Sequence, residues 1–341
     1  MNKKPRSATI KDVARKLGLA PSTVSRALNK PGRASAETVA QVRAAAGELG
    51  YIAYRAAGSL VSKRTRTIGA IVPTIDNAIF AQALHALQWQ LNAHGYGLLL
   101  ASTHYDPEGE VSALHSLLEQ GVDAIVMVGE VHHGGAMDLL ARTQTPFVNT
   151  WVYNPDSANT SIGFDNRAAM ARMANYLLDL GHRDFAMICG ITQHNDRAAQ
   201  RLAGLRDALQ ARGLDLKPHR VLEQPYTIAA GRMALRTLLA DCEPPSVVVC
   251  GNDILAFGAI YEAAALKVSV PQSLSISGFD DFELSSHIVP SLTTIRVPAT
   301  DIGVSAANYL VALLSDKTPP RHIELEAELI VRGSTVPPPA R

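Results

Sequence analysis

Ser22, Thr23, Ser25 and Arg26 stand close together on the outer side of what reads as one short helix. Hydroxyls and a guanidinium at that spacing suit base edges and phosphate oxygens. A second polar and aromatic set recurs downstream, where apolar strand-like runs give way to loops or helix starts: Phe80, Trp151, Asn195, Arg197, Arg201, Tyr226, Asn252 and Asp280. Asparagine, aspartate and the arginine fork offer paired donors or acceptors at the spacing of neighbouring hydroxyls, and an aromatic ring covers the C–H face of a sugar. This set suits a small polyhydroxylated or carboxylated ligand. Each member also has a structural alternative. Phe80 and Tyr226 would serve as core, Arg197 would serve as a solvated cation, and Asp253 reads as a helix N-cap. The sequence contains no Walker A pattern, no GxGxxG after a strand, no GxSxG elbow and no metal-ligand spacing, so neither an enzyme nor a cofactor is expected. His132-His133 reads as part of a solvated loop.

The elements that must position the first set lie in Thr9 to Asn29. Thr9 is placed to cap a helix with Asp12 three residues on, and Ile10, Val13, Ala14 and Leu17 share one face. Gly18 supplies the left-handed turn that stops it, and Pro21 suits the first position of the next helix, whose Val24 and Leu28 face inward. Ser35 starts a third helix, with Val39, Val42, Ala46 and Leu49 closing a small core before Gly50. Ahead of these, residues 1–7 form a short basic arm.

From Thr67 the pattern becomes alternating strands and helices: IGAIV, GLLLA and AIVMV with helices between them, then from about Ser161 a second series built on FAMIC, VVVC and SISG. Continuous apolar runs of this kind are expected where both faces of a parallel sheet are covered. The fold class is therefore α/β, with a three-helix head and two open parallel sheets forming two lobes around a cleft.

Charge is divided between these parts. Residues 1–66 hold 14 Lys and Arg against 3 Asp and Glu, a balance of +11, while residues 67–341 hold 18 against 28, a balance of −10. A basic head on an acidic body implies a polyanionic partner for the head alone. Cys189, Cys242 and Cys250 lack ligand or disulfide spacing and read as reduced interior thiols. Neither a signal peptide nor a membrane span is apparent, which makes the cytoplasm the expected location.

The V-A-x-x-x-G-(V/L)-x-x-x-T-V-S-R pattern of Val13, Ala14, Gly18, Leu19, Thr23, Val24, Ser25 and Arg26 resembles the helix-turn-helix of the LacI/GalR family of bacterial transcription regulators. RLAGL at 201–205, CGNDILAFGA at 250–259, and GFDD with PSLTTI within 278–295 extend the resemblance over nearly the whole chain. It implies a helix-turn-helix head at 1–50, a hinge at 51–66 and a periplasmic-binding-protein-like core at 67–341. Lobe 1 is placed at about 67–164 and 297–317, and lobe 2 at about 165–296 and 318–341. Contacts to palindromic double-stranded operator DNA are implied for Thr9, Pro21, Ser22, Thr23, Ser25, Arg26, Asn29, Ala57 and Leu60, with Leu60 as a minor-groove wedge. The family usually has arginine where this chain has Gly58, and glycine costs a helix about 1 kcal/mol relative to alanine. A flexible basic linker at 51–66 stays open as the alternative.

Effector contacts are implied for Phe80, Trp151, Arg201, Tyr226, Asn252 and Asp280. A second guanidinium from Arg197 in the same cleft would favour an anionic ligand, so the expected effector is a sugar or sugar acid such as an aldonic acid. Some family members add a C-terminal leucine heptad that ties dimers into tetramers. This chain ends in VRGSTVPPPAR, and a homodimer is expected. The expected function is an effector-responsive repressor of a catabolic operon; a sugar-binding transport-type protein is the rival.

Overall fold

The computed structural model describes residues 8–29, 31–51 and 64–339. It divides into two compact units, 1–65 and 66–341. The basic arm, Ala57, Gly58 and Leu60 lie outside the described residues.

The described residues of the first unit include three α-helices, α1 (Ile10–Leu17), α2 (Pro21–Asn29) and α3 (Ala36–Glu48). The Asp12 carboxylate accepts both the backbone N–H of Thr9 at 2.9 Å and its hydroxyl at 2.6 Å, which fixes the start of α1. Gly18, at φ +65°, ends it, and the Leu19 N–H returns to the Ala14 carbonyl at 3.0 Å. The Ser35 hydroxyl accepts the Thr38 N–H at the start of α3. Val13, Ala14, Val24, Ala27, Val42, Ala45 and Ala46 form the core. Ala27, three residues after Val24, is fully buried, whereas Leu28 is only partly so.

In the second unit, β1 (Thr67–Val72), β2 (Gly97–Ser102), β3 (Ala124–Val128), β4 (Phe147–Thr150), β5 (Ser161–Gly163) and β11 (His322–Glu324) make one parallel sheet in the order β11-β5-β4-β3-β1-β2. Its helices are α4 (Ala78–Ala93), α5 (Pro107–Glu119), α6 (Gly134–Thr143) and, from much later in the chain, α12 (Ala299–Leu314). The second sheet, also parallel, has the order β7-β6-β8-β9 from β6 (Phe185–Gly190), β7 (Val221–Gln224), β8 (Val247–Cys250) and β9 (Ser275–Ser277). It is served by α7 (Asn166–Asp179), α8 (Asp196–Gln210), α9 (Ile228–Leu239) and α10 (Asp253–Ala265). The short α11 (Glu283–His287) leads to an antiparallel pair, β10 (Thr294–Arg296) with β12 (Glu328–Ile330).

The chain therefore crosses between the sheets after β5, after β10 and after β11. The strand Ser161–Gly163 closes onto β4 of the first sheet, inside the 67–164 span expected for lobe 1. One boundary differs from expectation. The second lobe does not resume at 318, because His322–Glu324 pairs in parallel with β5. His322–Glu324 is three residues long, too short to show a period, and is fixed by a partner distant in sequence. GLLLA is also not covered on both faces: β2 is a sheet edge, and Leu100 is 45% exposed. Cys189 and Cys250 are buried, but Cys242 is exposed.

Candidate effector cleft and DNA-reading helix

Seven connections at the carboxyl ends of strands build a common cavity. The β1–α4 turn supplies Asn77, Ile79 and Phe80; the β2–α5 loop supplies Tyr105; the β4–β5 loop supplies Trp151. From the second lobe come Asn195, Arg197 and Arg201 at the start of α8, Tyr226 before α9, Asn252 before α10 and Asp280 after β9. All seven effector residues expected from the sequence thus line one cavity. Open parallel sheets gather these residues because every βα turn leaves the same end of the sheet.

Three of the lining residues share a local role. Asn77, Asn195 and Asn252 are the N-caps of α4, α8 and α10, and each side-chain oxygen accepts a backbone N–H of the helix it starts. Three helix N-termini, with their partial positive charge, therefore meet at one cavity. Capping occupies the Asn252 oxygen, through the Leu255 N–H at 3.0 Å, but its amide nitrogen is buried with no hydrogen-bond partner. The residue is only 1% exposed. An orphaned donor of this kind costs about 1–3 kcal/mol until an acceptor arrives.

Arg201 is held from three sides. Its Nε donates to Asn166 at 2.9 Å, its Nη1 to the Gly251 carbonyl at 2.8 Å, and the guanidinium lies 3.8 Å from the Phe279 ring centroid. Asp280 lies 3.8 Å from Nη1. Burial pushes the Asp280 carboxyl up to about 8, with Asp253 adding to the shift and Arg201 opposing it. At neutral pH this carboxyl therefore does not fully cancel the arginine. Arg197 is different: its Nη1 donates to Asp196 at 2.6 Å and to the Val128 carbonyl of the other lobe at 3.2 Å. It reaches the cavity and not solvent, but its charge is already balanced, so it supplies no excess positive charge.

The aromatic wall is preset. Phe80 and Trp151 meet edge to face with centroids 4.9 Å apart, and Tyr105 tilts against Tyr226 at 5.8 Å. Burial raises the pKa of the Tyr226 hydroxyl, which stays protonated. Gly190 on β6 is required beside Tyr226, since a methyl group there would collide with the phenol ring. Tyr105, Trp151 and Asp280 all adopt positive φ, at 62°, 69° and 120°, an uncommon choice for such residues that concentrates strain at the cavity. The cavity itself is small, about 30 Å³, room for a water or two.

Several neighbours have structural duties. The cap of α10 is Asn252, not Asp253. Asp253, the next residue, accepts bonds from the Phe282 N–H, Ser285 and Thr294, pinning the segment that carries Asp280. Asp281 pairs with Arg296 and Arg332. His132 is not solvated: its side chain is 2% exposed, 2.7 Å from Glu110 and 3.0 Å from the Asn149 side-chain oxygen. Burial acts against its protonation, but these partners outweigh it and raise its pKa. Asn77 and Tyr105 were not singled out as ligands in the sequence. Applying the strand-end rule to GLLLA-STHY would have found Tyr105.

In the head, Ser22 and Arg26 are exposed on α2, and Thr23 and Ser25 half-buried. Arg26 Nε donates to the Ser22 carbonyl at 3.2 Å. Thr9 is the α1 cap, Pro21 opens α2 and Asn29 is its last residue. Among the described residues, no group of three His, Cys, Asp or Glu is placed to hold a metal, and no helix is long and apolar enough to cross a membrane.

Residues 9–53 match the family described as bacterial regulatory proteins, lacI family, and residues 174–335 match a periplasmic binding protein-like domain. The HTH-type transcriptional repressor PurR of Histophilus somni (strain 2336) is 32% identical, covering 96% of this chain and 98% of that protein. The HTH-type transcriptional repressor CytR of Escherichia coli (strain K12) is 31% identical over 98% of each. Among solved structures, the Lac repressor dimer bound to operator and the anti-inducer ONPF aligns with a TM-score of 0.87 at 26% identity, over 97% of this chain and 100% of that one.

Proposed function

Because the chain belongs to the lacI family of bacterial regulatory proteins, we propose that it represses transcription as a cytoplasmic homodimer whose operator affinity is set by a small sugar acid, of the aldonic type, held between the lobes. It is a sequence-specific DNA-binding transcriptional repressor of that family, and both relatives are named HTH-type transcriptional repressors. A transport-type binding protein would share the body but has no use for the head.

The buried, unpartnered amide of Asn252 carries the argument for the ligand. It offers a donor in a cavity where three helix N-termini and Arg201 face an Asp280 carboxyl that burial holds partly protonated. That field favours an electron-rich or anionic group. The hydroxyls of the same ligand would be served by the remaining asparagines, the tyrosines and Asp280.

Control follows from the size of the cavity. About 30 Å³ admits no sugar, so the ligand enters only as side chains and lobes rearrange. Because both lobes supply contacts, a ligand that prefers one arrangement of them shifts its population, and that shift couples to the head. We assign residues 1–50 to reading half-sites, with Ser22, Thr23, Ser25 and Arg26 towards the DNA. We assign residues 51–66 to the hinge, with Leu60 as the wedge and Ala57 as a further DNA contact. The dimer would cover Trp89, 73% exposed on α4, and Leu100 on the β2 edge. The Lac repressor structure is likewise named as a dimer on operator.

The test is a thermal shift comparing gluconate and related aldonates with their neutral sugars, on the wild type and on Asn252→Asp. Aspartate keeps the helix cap but repels an anion. The acid should raise the wild-type melting temperature, the neutral sugar should not, and the variant should lose the response. Equal stabilisation by the neutral sugar would reject the anionic ligand.

A further inference from the structure

A second cavity adjoins the first. Its volume is about 260 Å³, and Tyr105 and Arg197 line both spaces. The rest of its wall comes from the ends of β1, β2 and β3 and from the loop before α8.

The wall is stiff. Both oxygens of Glu110 are engaged: one lies 2.7 Å from His132 Nδ1, and the other accepts the His133 N–H at 2.8 Å. His132 Nε2 is tied to the Asn149 side-chain oxygen at 3.0 Å. The His133 ring accepts the Gly135 N–H on Nδ1 at 3.1 Å, which leaves its proton on Nε2, 3.4 Å from the exposed Glu108 carboxylate. His132 pairs with Glu110 and Arg197 with Asp196, which leaves the Asp106 carboxylate, the cap of α5, as the remaining charge on the wall, so this chamber lacks the electropositive bias of the cleft. Thr103, His133 and His194 add hydrogen-bonding groups, while Pro73, Pro107 and Val131 add apolar surface. Polar groups on some sides and apolar faces on others, with a carboxylate that accepts hydroxyls and repels an anion, match a neutral pyranose ring and not a second acid.

We infer that the chamber is a second subsite that binds a neutral sugar unit, so that the effector is a glycosylated sugar acid, with its acid unit in the cleft and its glycosyl ring beyond Tyr105 and Arg197. The inference rests on the cleft being the effector site. It adds the length of the ligand and makes Tyr105 the divider between two units. The small cleft and the larger chamber are then parts of one elongated site, and a single-unit acid uses only one of them.

The experiment measures binding of gluconate and of its glycosides lactobionate and maltobionate by calorimetry, with lactose and maltose as neutral counterparts. It is done on the full-length wild type and on Val131→Trp. Val131 is 60% exposed, so a larger side chain there fills the chamber without entering the core. At least one glycosylated acid should bind the wild type about tenfold or more tighter than gluconate, and Val131→Trp should remove that advantage while leaving gluconate affinity unchanged. If gluconate binds as tightly as both glycosides, the subsite is refuted and the anionic cleft stands. If the neutral disaccharides bind as well as the acids and lose affinity in Val131→Trp, the subsite stands and the anionic cleft is refuted. Binding by none of the five overturns both.

Discussion

The Asp196 carboxylate accepts the backbone N–H of Glu130 at 2.5 Å, joining the first residue of α8 in one lobe to the loop after β3 in the other. The same carboxylate holds Arg197, whose guanidinium reaches the Val128 carbonyl of that other lobe. Two neighbouring residues thus fasten the lobes beside the ligand cavity.

Asp196→Ala should therefore destabilise the ligand-free protein by about 1–3 kcal/mol, since it strands a backbone donor and a guanidinium together. Urea denaturation of the second unit's transition measures this. A stability equal to wild type would mean that the lobes are held elsewhere.

Asp280 gives a pH dependence with a definite sign. Burial raises its carboxyl from 3.8 to about 8, so the folded protein holds this proton more tightly than the unfolded chain does. Its contribution to stability is fully present below about pH 4 and is lost as the pH rises through about 8. Asp280→Asn removes the ionisation, so its melting temperature relative to wild type should climb by a few degrees between about pH 5 and about pH 9. It should also lose the effector response. A constant difference across that range would contradict the assigned burial.

Gly190→Ala tests the fit of Tyr226. The new methyl group meets only the outer part of the phenol ring, so the ring should swing into the cavity while β6 stays in place. Effector affinity should fall about tenfold or more with operator affinity in the absence of ligand retained. Unchanged effector affinity would show that Tyr226 is only core.

Much of this was legible in the sequence because local rules and the global fold agree. Thr9 with Asp12, Gly18 and Ser35 are cap chemistry, and the structure places all of them in those roles. AIVMV, VVVC and the helix Ile228–Leu239 match without shift. What escaped depends on partners far along the chain. Nothing local to His322–Glu324 says that it lies beside Ser161–Gly163. Nor does His132-His133 show that Glu110 and Asn149 will bury its first ring. Arg197 lines the cavity, but the neighbouring Asp196 balances its charge, so the excess positive charge that the sequence suggested for it is absent.

The head makes a separable prediction. Arg26→Ala should weaken operator binding and leave effector affinity intact, and binding should fall steeply with salt because the +11 head must displace counterions. Leu60→Ala should reduce specific binding far more than binding to random DNA, since a wedge helps only where the central base step deforms easily. Anisotropy titrations on both duplexes distinguish these. Equal losses on the two for Leu60→Ala would favour the flexible linker.

A ligand in the cleft should set affinity for DNA, and a single titration measures that coupling. Operator binding by the full-length protein, on a duplex selected from a random library, is followed by anisotropy with and without a saturating sugar acid, for the wild type and Asn252→Asp. The ligand should change wild-type operator Kd by about tenfold or more, a coupling of roughly 1–3 kcal/mol, and leave the variant unchanged. A wild-type Kd that stays the same while calorimetry shows the cleft occupied would contradict it.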